Sequence, residues 1–83
     1  MVVSQLEIEA FVKERLASLL FINAAEIQTN RPIVDYGLDS LSAVAMVGDL
    51  EDWLGIELPS TTLWDYPTIE KISDFISKEA THK

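Results

Sequence analysis

The chain of 83 residues contains no cysteine, so it has neither a disulfide framework nor a thiol nucleophile. Any thiol chemistry must therefore come from a bound group. No apolar run approaches the ~20 residues that a membrane-spanning helix needs. The start, Met1 to Ser4, lacks the basic segment and hydrophobic stretch of an export signal. We expect a soluble, unexported, cytoplasmic protein that does not associate with membranes.

Basic residues are also scarce. Six Lys and Arg stand against 14 Asp and Glu, which gives a net charge of −8, and no Lys or Arg occurs between Pro32 and Glu70. Nucleic-acid binding is disfavoured, because phosphates require basic contacts, and a partner with a basic surface is favoured. The alternative is an acidic surface that only maintains solubility.

Groups suited to catalysis are few. The single histidine, His82, is the next-to-last residue, so pairing it with Ser40 would require the tail to fold back. Asp49, Glu51 and Asp52 stand at positions i, i+2 and i+3, a spacing that does not direct all three carboxylates to one metal ion. We expect no enzyme activity and no metal site.

The hydrophobic periodicity predicts an all-α fold, a small four-helix bundle of three long helices and one short one. The first helix begins at Gln5 after the capping residues Ser4 and Glu7. The second runs from Ser40 to Leu54, a short turn follows near residues 60–64, and the last begins after Thr68. Their inward stripes include Ile8, Val12, Leu16, Leu19, Met46, Val47, Leu50, Ile69, Ile72, Phe75 and Ile76.

The first two helices are joined by a long loop over residues 21–38, which we expect to hold a short helical turn near residues 24–27. Its aliphatic residues should pin it to the core: Ile22, Ile27, Ile33 and Val34. We expect the whole chain, residues 1–83, to form a single domain, with a core over about 5–78 and a frayed tail over 79–83.

The phase of the second helix leaves Leu41, Ala45 and Gly48 opposite its buried face, with Val44 at the border. Isolated exposed leucines are ordinary, but this group favours a docking patch for a partner helix. Glu51 and Asp52 lie in the last turns, where the helix dipole disfavours negative charge. With no basic residue nearby in the sequence, these charges favour a cationic partner.

A turn leads directly into this helix. Gly37 permits positive φ, Asp39 is a preferred N-cap, and Ser40 takes the first helical position with its hydroxyl toward solvent. From these residues alone, the serine and aspartate could simply cap a helix.

The run Gly37-Leu38-Asp39-Ser40-Leu41 resembles the attachment motif of acyl carrier proteins. The resemblance extends roughly from Gln5 to Lys78 and includes the segments at residues 55–59 and 63–69. It implies that Ser40 is esterified with 4'-phosphopantetheine from coenzyme A, whose thiol carries acyl intermediates as thioesters. It further implies that Asp39 shapes the turn, that Leu41 and Val44 are apolar contacts, and that the helix carboxylates steer partners: Asp49, Glu51 and Asp52.

The partners implied are a phosphopantetheinyl transferase and the ketosynthase, acyltransferase and other enzymes of a synthase, and we expect the isolated domain to be monomeric. Residues 63–69 are similar to polyketide synthase carriers, and Leu38-Asp39 replaces the Gly-Gly pattern usual in peptidyl carriers. A carrier of fatty-acid or nonribosomal-peptide synthesis is the alternative, as is a non-catalytic acidic helical interaction domain. Either a free-standing protein or part of a megasynthase is compatible with the sequence.

Overall fold

The computed structural model describes residues 4–81, and within them the fold is all-α, as predicted. The helices are α1 (Gln5–Leu20), α2 (Ser40–Leu54), the short α3 (Thr62–Asp65) and α4 (Ile69–Thr81). Two 3-10 turns, Ala24–Glu26 and Ile33–Tyr36, lie in the long loop after α1. The helices form the small four-helix bundle expected from the sequence. None of the helices between residues 4 and 81 has the length and apolar character needed to cross a bilayer.

The start of α1 follows the predicted capping residues. The Ser4 hydroxyl accepts a hydrogen bond from the Glu7 N–H and donates one to the Glu7 carboxylate, both at 3.2 Å. The helix ends at Leu20 and is followed by Phe21 as the C-cap, whose φ of 57° is left-handed, and the Ile22 N–H donates to the Ala17 carbonyl at 3.1 Å. Since glycine or asparagine is usual at such an end, Phe21 is an unusual occupant.

Most of the core comes from the inward faces of the three long helices, and the loops and α3 complete it. The helix residues include Ile8, Val12, Leu16, Met46, Val47, Leu50, Ile69, Ile72 and Ile76. Leu19 and Phe75, predicted to face inward, are half-buried at its edge. Trp53 at the end of α2 stacks on Phe11 of α1, with ring centroids 4.2 Å apart. This stack joins α1 to α2 outside the aliphatic core.

Backbone hydrogen bonds tie the long loop to the start of α4. The Ile33 N–H donates to the Pro67 carbonyl at 2.7 Å, and the Glu70 N–H donates to the Thr29 carbonyl at 3.0 Å. Ile27 and Ile33 are buried and Ile22 is half-buried, but Val34 is exposed, so its predicted pinning role is wrong. The 3-10 turn at residues 33–36, which was not predicted, buries Ile33 and turns its neighbour outward.

The last helix begins as predicted, with the Thr68 hydroxyl accepting from the Lys71 N–H at 3.2 Å. It continues to Thr81, so residues 79–81 are helical where a frayed tail was expected. No glycine or proline follows Pro67 to end the helix, and Lys78 pairs with Asp74 at 3.1 Å in its last turns. The remainder of the predicted tail, including His82, lies outside the described residues.

Candidate functional site

The turn before α2 is shaped by Gly37 and Asp39. Gly37 has a φ of 91°, which favours glycine, and its N–H donates to the Val34 carbonyl at 3.1 Å. Asp39 is extended, with φ −92° and ψ 174°, and its Oδ1 accepts from the Ser42 N–H at 2.7 Å. The positive φ of Gly37 and the N-cap role of Asp39 were both predicted from the sequence.

The charge of Asp39 is stabilised at this helix start. Hydrogen bonds from the Ser42 backbone N–H, and then from the Ser42 side chain, hold the pKa of the Asp39 carboxyl below its ordinary value of 3.8. The carboxylate is therefore ionised at neutral pH, next to the predicted attachment residue.

Ser40 is the first residue of α2 and its side chain is exposed. Within residues 4–81 its hydroxyl forms no side-chain hydrogen bond. Leu38, two positions earlier, is buried in the core and anchors the turn there. A phosphate ester on Ser40 would lie at the positive dipole end of a 15-residue helix, where the Asp39 carboxylate already accepts from the Ser42 N–H and the Ser40 and Leu41 N–H groups have no acceptor within residues 4–81. The residues present therefore fit a phosphate-linked group.

The outer face of α2 is apolar beside Ser40, as the helical phase predicted. Leu41 is 81% exposed, Val44 is 50% exposed, and Ala45 and Gly48 complete the face. The opposite side of the helix is buried in the core through Ala43, Met46, Val47 and Leu50. The exposed leucine and valine are therefore not needed to fill the core. We call Leu41, Val44, Ala45 and Gly48 the outer face of α2.

The three carboxylates at the far end of α2 have different environments. Asp49 Oδ2 lies 3.8 Å from Arg15 Nε of α1, a pair that joins residues far apart in the sequence. Glu51 Oε2 accepts from the Leu58 N–H at 2.8 Å and so supports the link after α2. Asp52 is exposed and forms no ion pair with the residues that the structure describes.

Sequence reasoning missed these two intramolecular uses of Asp49 and Glu51. Neither contact follows a helical spacing, so no local pattern signalled them. The partner-binding roles assigned to Asp49, Glu51 and Asp52 stay predictions. Over residues 4–81, no three His, Asp or Glu side chains are grouped to share a metal ion.

Comparison with known proteins assigns the chain to a family. The family described as "Phosphopantetheine attachment site" matches residues 10–76, and the chain belongs to it. The protein is thus a non-catalytic carrier domain that bears phosphopantetheine. Its class implies a phosphopantetheinyl transferase and synthase enzymes as partners.

The relatives are of several kinds. The chain is 33% identical over 72 residues to part of a phenolphthiocerol/phthiocerol polyketide synthase of Mycobacterium tuberculosis, a match that spans 87% of this chain but only 4% of that protein. A free-standing peptidyl carrier protein from an uncharacterized secondary metabolic pathway of Acinetobacter baumannii is 33% identical, with a TM-score of 0.88 over 92% of this chain and 95% of that one.

A third relative is an acyl carrier protein from Anabaena sp. PCC 7120 with a variant phosphopantetheinylation-site sequence. It is 25% identical, with a TM-score of 0.84 over 96% of this chain and 94% of the other. Acyl and peptidyl carriers are therefore both similar to this protein in structure.

Proposed function

We propose that Ser40 is the residue esterified with phosphopantetheine and that the carrier serves polyketide synthesis. The observation that carries the first part is the exposed hydroxyl of Ser40 at the first position of α2, which has no hydrogen-bond partner among residues 4–81. When bound, the group supplies a flexible arm ending in a thiol, which carries an acyl group as a thioester. Tethering raises the effective concentration of the cargo at each enzyme visited.

The chain's own residues present the serine to its partners. Asp39 holds the first turn of α2 through the Ser42 N–H and places a negative charge next to Ser40. The outer face of α2 offers an apolar contact surface on one side of the serine. Asp52 adds negative charge that attracts a basic partner surface. Asp49 adds to this charge as well, although its carboxylate is partly neutralised by the ion pair with Arg15. Glu51 contributes to that charge while it also supports the α2–α3 link.

Two observations support the polyketide assignment: the segment at residues 63–69 and the polyketide synthase relatives. The second candidate is a peptidyl carrier of nonribosomal synthesis, which the similarity to the Acinetobacter carrier favours. Mass spectrometry of the cargo released from the protein in its native host separates them. Polyketide carriage predicts acyl chains without amino acids, and aminoacyl or peptidyl cargo would contradict it. We expect the protein to carry its acyl groups in the cytoplasm.

Intact mass tests the attachment residue. Incubation with coenzyme A and a phosphopantetheinyl transferase should add one phosphopantetheine to the wild type and none to Ser40→Ala. Ser60→Ala, which removes another exposed serine, is the matched control and should be modified normally. Modification of the Ser40→Ala protein, or a wild type that stays unmodified, would refute the proposal.

Transferase kinetics across a salt series test the docking surface. Asp52→Lys should slow loading mainly at low salt, because exposed charges are screened within about 10 Å at 0.1 M. Glu57→Lys, an exposed reversal in the link after α2, is the control. Leu41→Ala removes contact area, so its defect should persist at high salt. Equal effects of the two reversals would indicate that only net charge matters.

A further inference from the structure

Residues 28–36 of the long loop form a closed unit just before the attachment turn. The Tyr36 hydroxyl accepts a hydrogen bond from the Gln28 N–H at 2.8 Å, across eight positions of the chain. Arg31 lies over the Tyr36 ring, with its guanidinium carbon 5.1 Å from the ring centre, and its Nε is 3.6 Å from Asp35 Oδ2. One side chain, Tyr36, thus receives contacts from the beginning and the middle of the unit.

The unit is fixed to the start of α4 near its beginning, where the Thr29 carbonyl accepts from the Glu70 N–H, and again in its interior at Ile33, and it leads to the serine at its far end. Ile33 is buried and its N–H is bonded to Pro67, just before α4. At the other end, the Gly37 N–H is bonded to the Val34 carbonyl inside the unit, and Ser40 stands four positions after Tyr36. The buried Leu38 anchors the turn from its own side, and the Gly37–Val34 hydrogen bond couples the turn to the unit that precedes it.

We infer that Tyr36 is a positioning residue for loading, because its hydroxyl keeps the loop unit closed and the attachment turn in the orientation that the transferase binds. This inference rests on the proposed attachment at Ser40. When the hydrogen bond is lost, the unit opens part of the time, and only the closed fraction of the carrier is competent to dock. The apparent affinity falls by that fraction, whereas the rate of transfer within the complex is retained.

Tyr36→Phe is the direct variant, since it keeps the ring under Arg31 and removes only the hydrogen-bond acceptor. We expect the transferase KM for the carrier to rise about 2- to 10-fold, where the upper value is the full factor of one ordinary hydrogen bond and is reached only if the unit is mostly open in the variant, with kcat unchanged within error. The Gln28 amide should also exchange its hydrogen faster. Tyr66→Phe is the matched control: that ring stacks on Phe75, and within residues 4–81 its hydroxyl forms no hydrogen bond.

A second variant removes the same bond from its other side. Gln28→Pro deletes the donor, and Ile27, with φ −91° and ψ 126°, already has the extended conformation required before proline. It should raise KM by a similar factor, and the double variant with Tyr36→Phe should show no further rise. Two independent, multiplying effects would contradict a shared hydrogen bond.

The outcomes separate this inference from the function on which it rests. A wild-type protein that is not modified at Ser40 overturns the proposed function. A wild type that loads normally, together with Tyr36→Phe at an unchanged KM, overturns only the positioning role. A lower melting temperature with an unchanged KM does the same, because it assigns the hydroxyl to stability alone. A raised KM in Tyr36→Phe but not in Tyr66→Phe supports the inference.

Discussion

Replacing Phe21 with glycine should stabilise the protein. This residue ends α1 with a left-handed φ of 57°, and it is the only non-glycine residue with positive φ among residues 4–81. Its side chain is 94% exposed, so the ring contributes almost no packing that the substitution could remove. The backbone conformation, rather than any contact, dominates the energetics of this position.

The magnitude follows from two opposing effects. A left-handed conformation costs an L-residue roughly 1–2 kcal/mol, which glycine avoids. The greater freedom of glycine in the unfolded chain offsets roughly 0.5–1 kcal/mol of that gain. The net increase in the free energy of unfolding is therefore about 0.5–1 kcal/mol. For a domain of this size, it corresponds to a rise in melting temperature of about 2–8 °C.

Thermal and urea unfolding of Phe21→Gly, compared with Phe21→Ala, measures this effect. Alanine removes the ring but keeps the Cβ atom, so its stability should stay within about 0.5 kcal/mol of the wild type. A glycine variant no more stable than the alanine variant would show that the left-handed turn carries no strain. If both variants were clearly destabilised, the Phe21 ring would have to make contacts that the structure does not contain.

Three further substitutions test the core and the ends of α2. Leu50→Ala should cost about 2–5 kcal/mol in urea unfolding, since Leu50 is fully buried, and a negligible change would contradict its place in the core. The lowered pKa of Asp39 means that its contribution to stability is complete above its ordinary pKa of 3.8 and is lost as the pH falls through the lower folded pKa. Asp39→Asn, which still accepts from Ser42, should therefore flatten the acid limb of stability as the pH falls below 3.8, and a curve parallel to the wild type would refute this. Glu51→Ala should cost about 1 kcal/mol by leaving the Leu58 N–H without its acceptor, and Glu51→Gln should restore most of it; equal losses would show that the charge, not the acceptor, matters.

The helix ends and faces were predictable because their signals are local. Ser4 with Glu7, Asp39 before Ser40, and Gly55 with a φ of 66° each act within one turn of the chain. The same holds for the exposure of Leu41, which follows from the phase of α2 alone. The turn that presents Ser40 was therefore accessible from the sequence.

The remaining features depend on contacts between distant segments. The Arg15–Asp49 pair requires α1 to lie against α2, and the Glu51–Leu58 bond requires the chain to double back after Gly55. The outward position of Val34 depends on the anchoring of Ile33 to Pro67. None of these contacts has a periodic signature in the sequence. The sequence therefore predicted an excess of negative charge on α2 but not the intramolecular contacts of Asp49 and Glu51.

The hydrogen bonds from the Ile33 N–H to the Pro67 carbonyl and from the Glu70 N–H to the Thr29 carbonyl also bear on the order of folding. Helices α1 and α2 can form from local contacts, but these bonds must close a long stretch of chain before they contribute any stability. The segment leading to Ser40 therefore reaches its final position only when the start of α4 has docked. During synthesis, Ser40 leaves the ribosome before Pro67 and Glu70, whose hydrogen bonds hold the segment leading to it. We therefore expect a nascent chain to become a substrate of the transferase only after α4 has emerged.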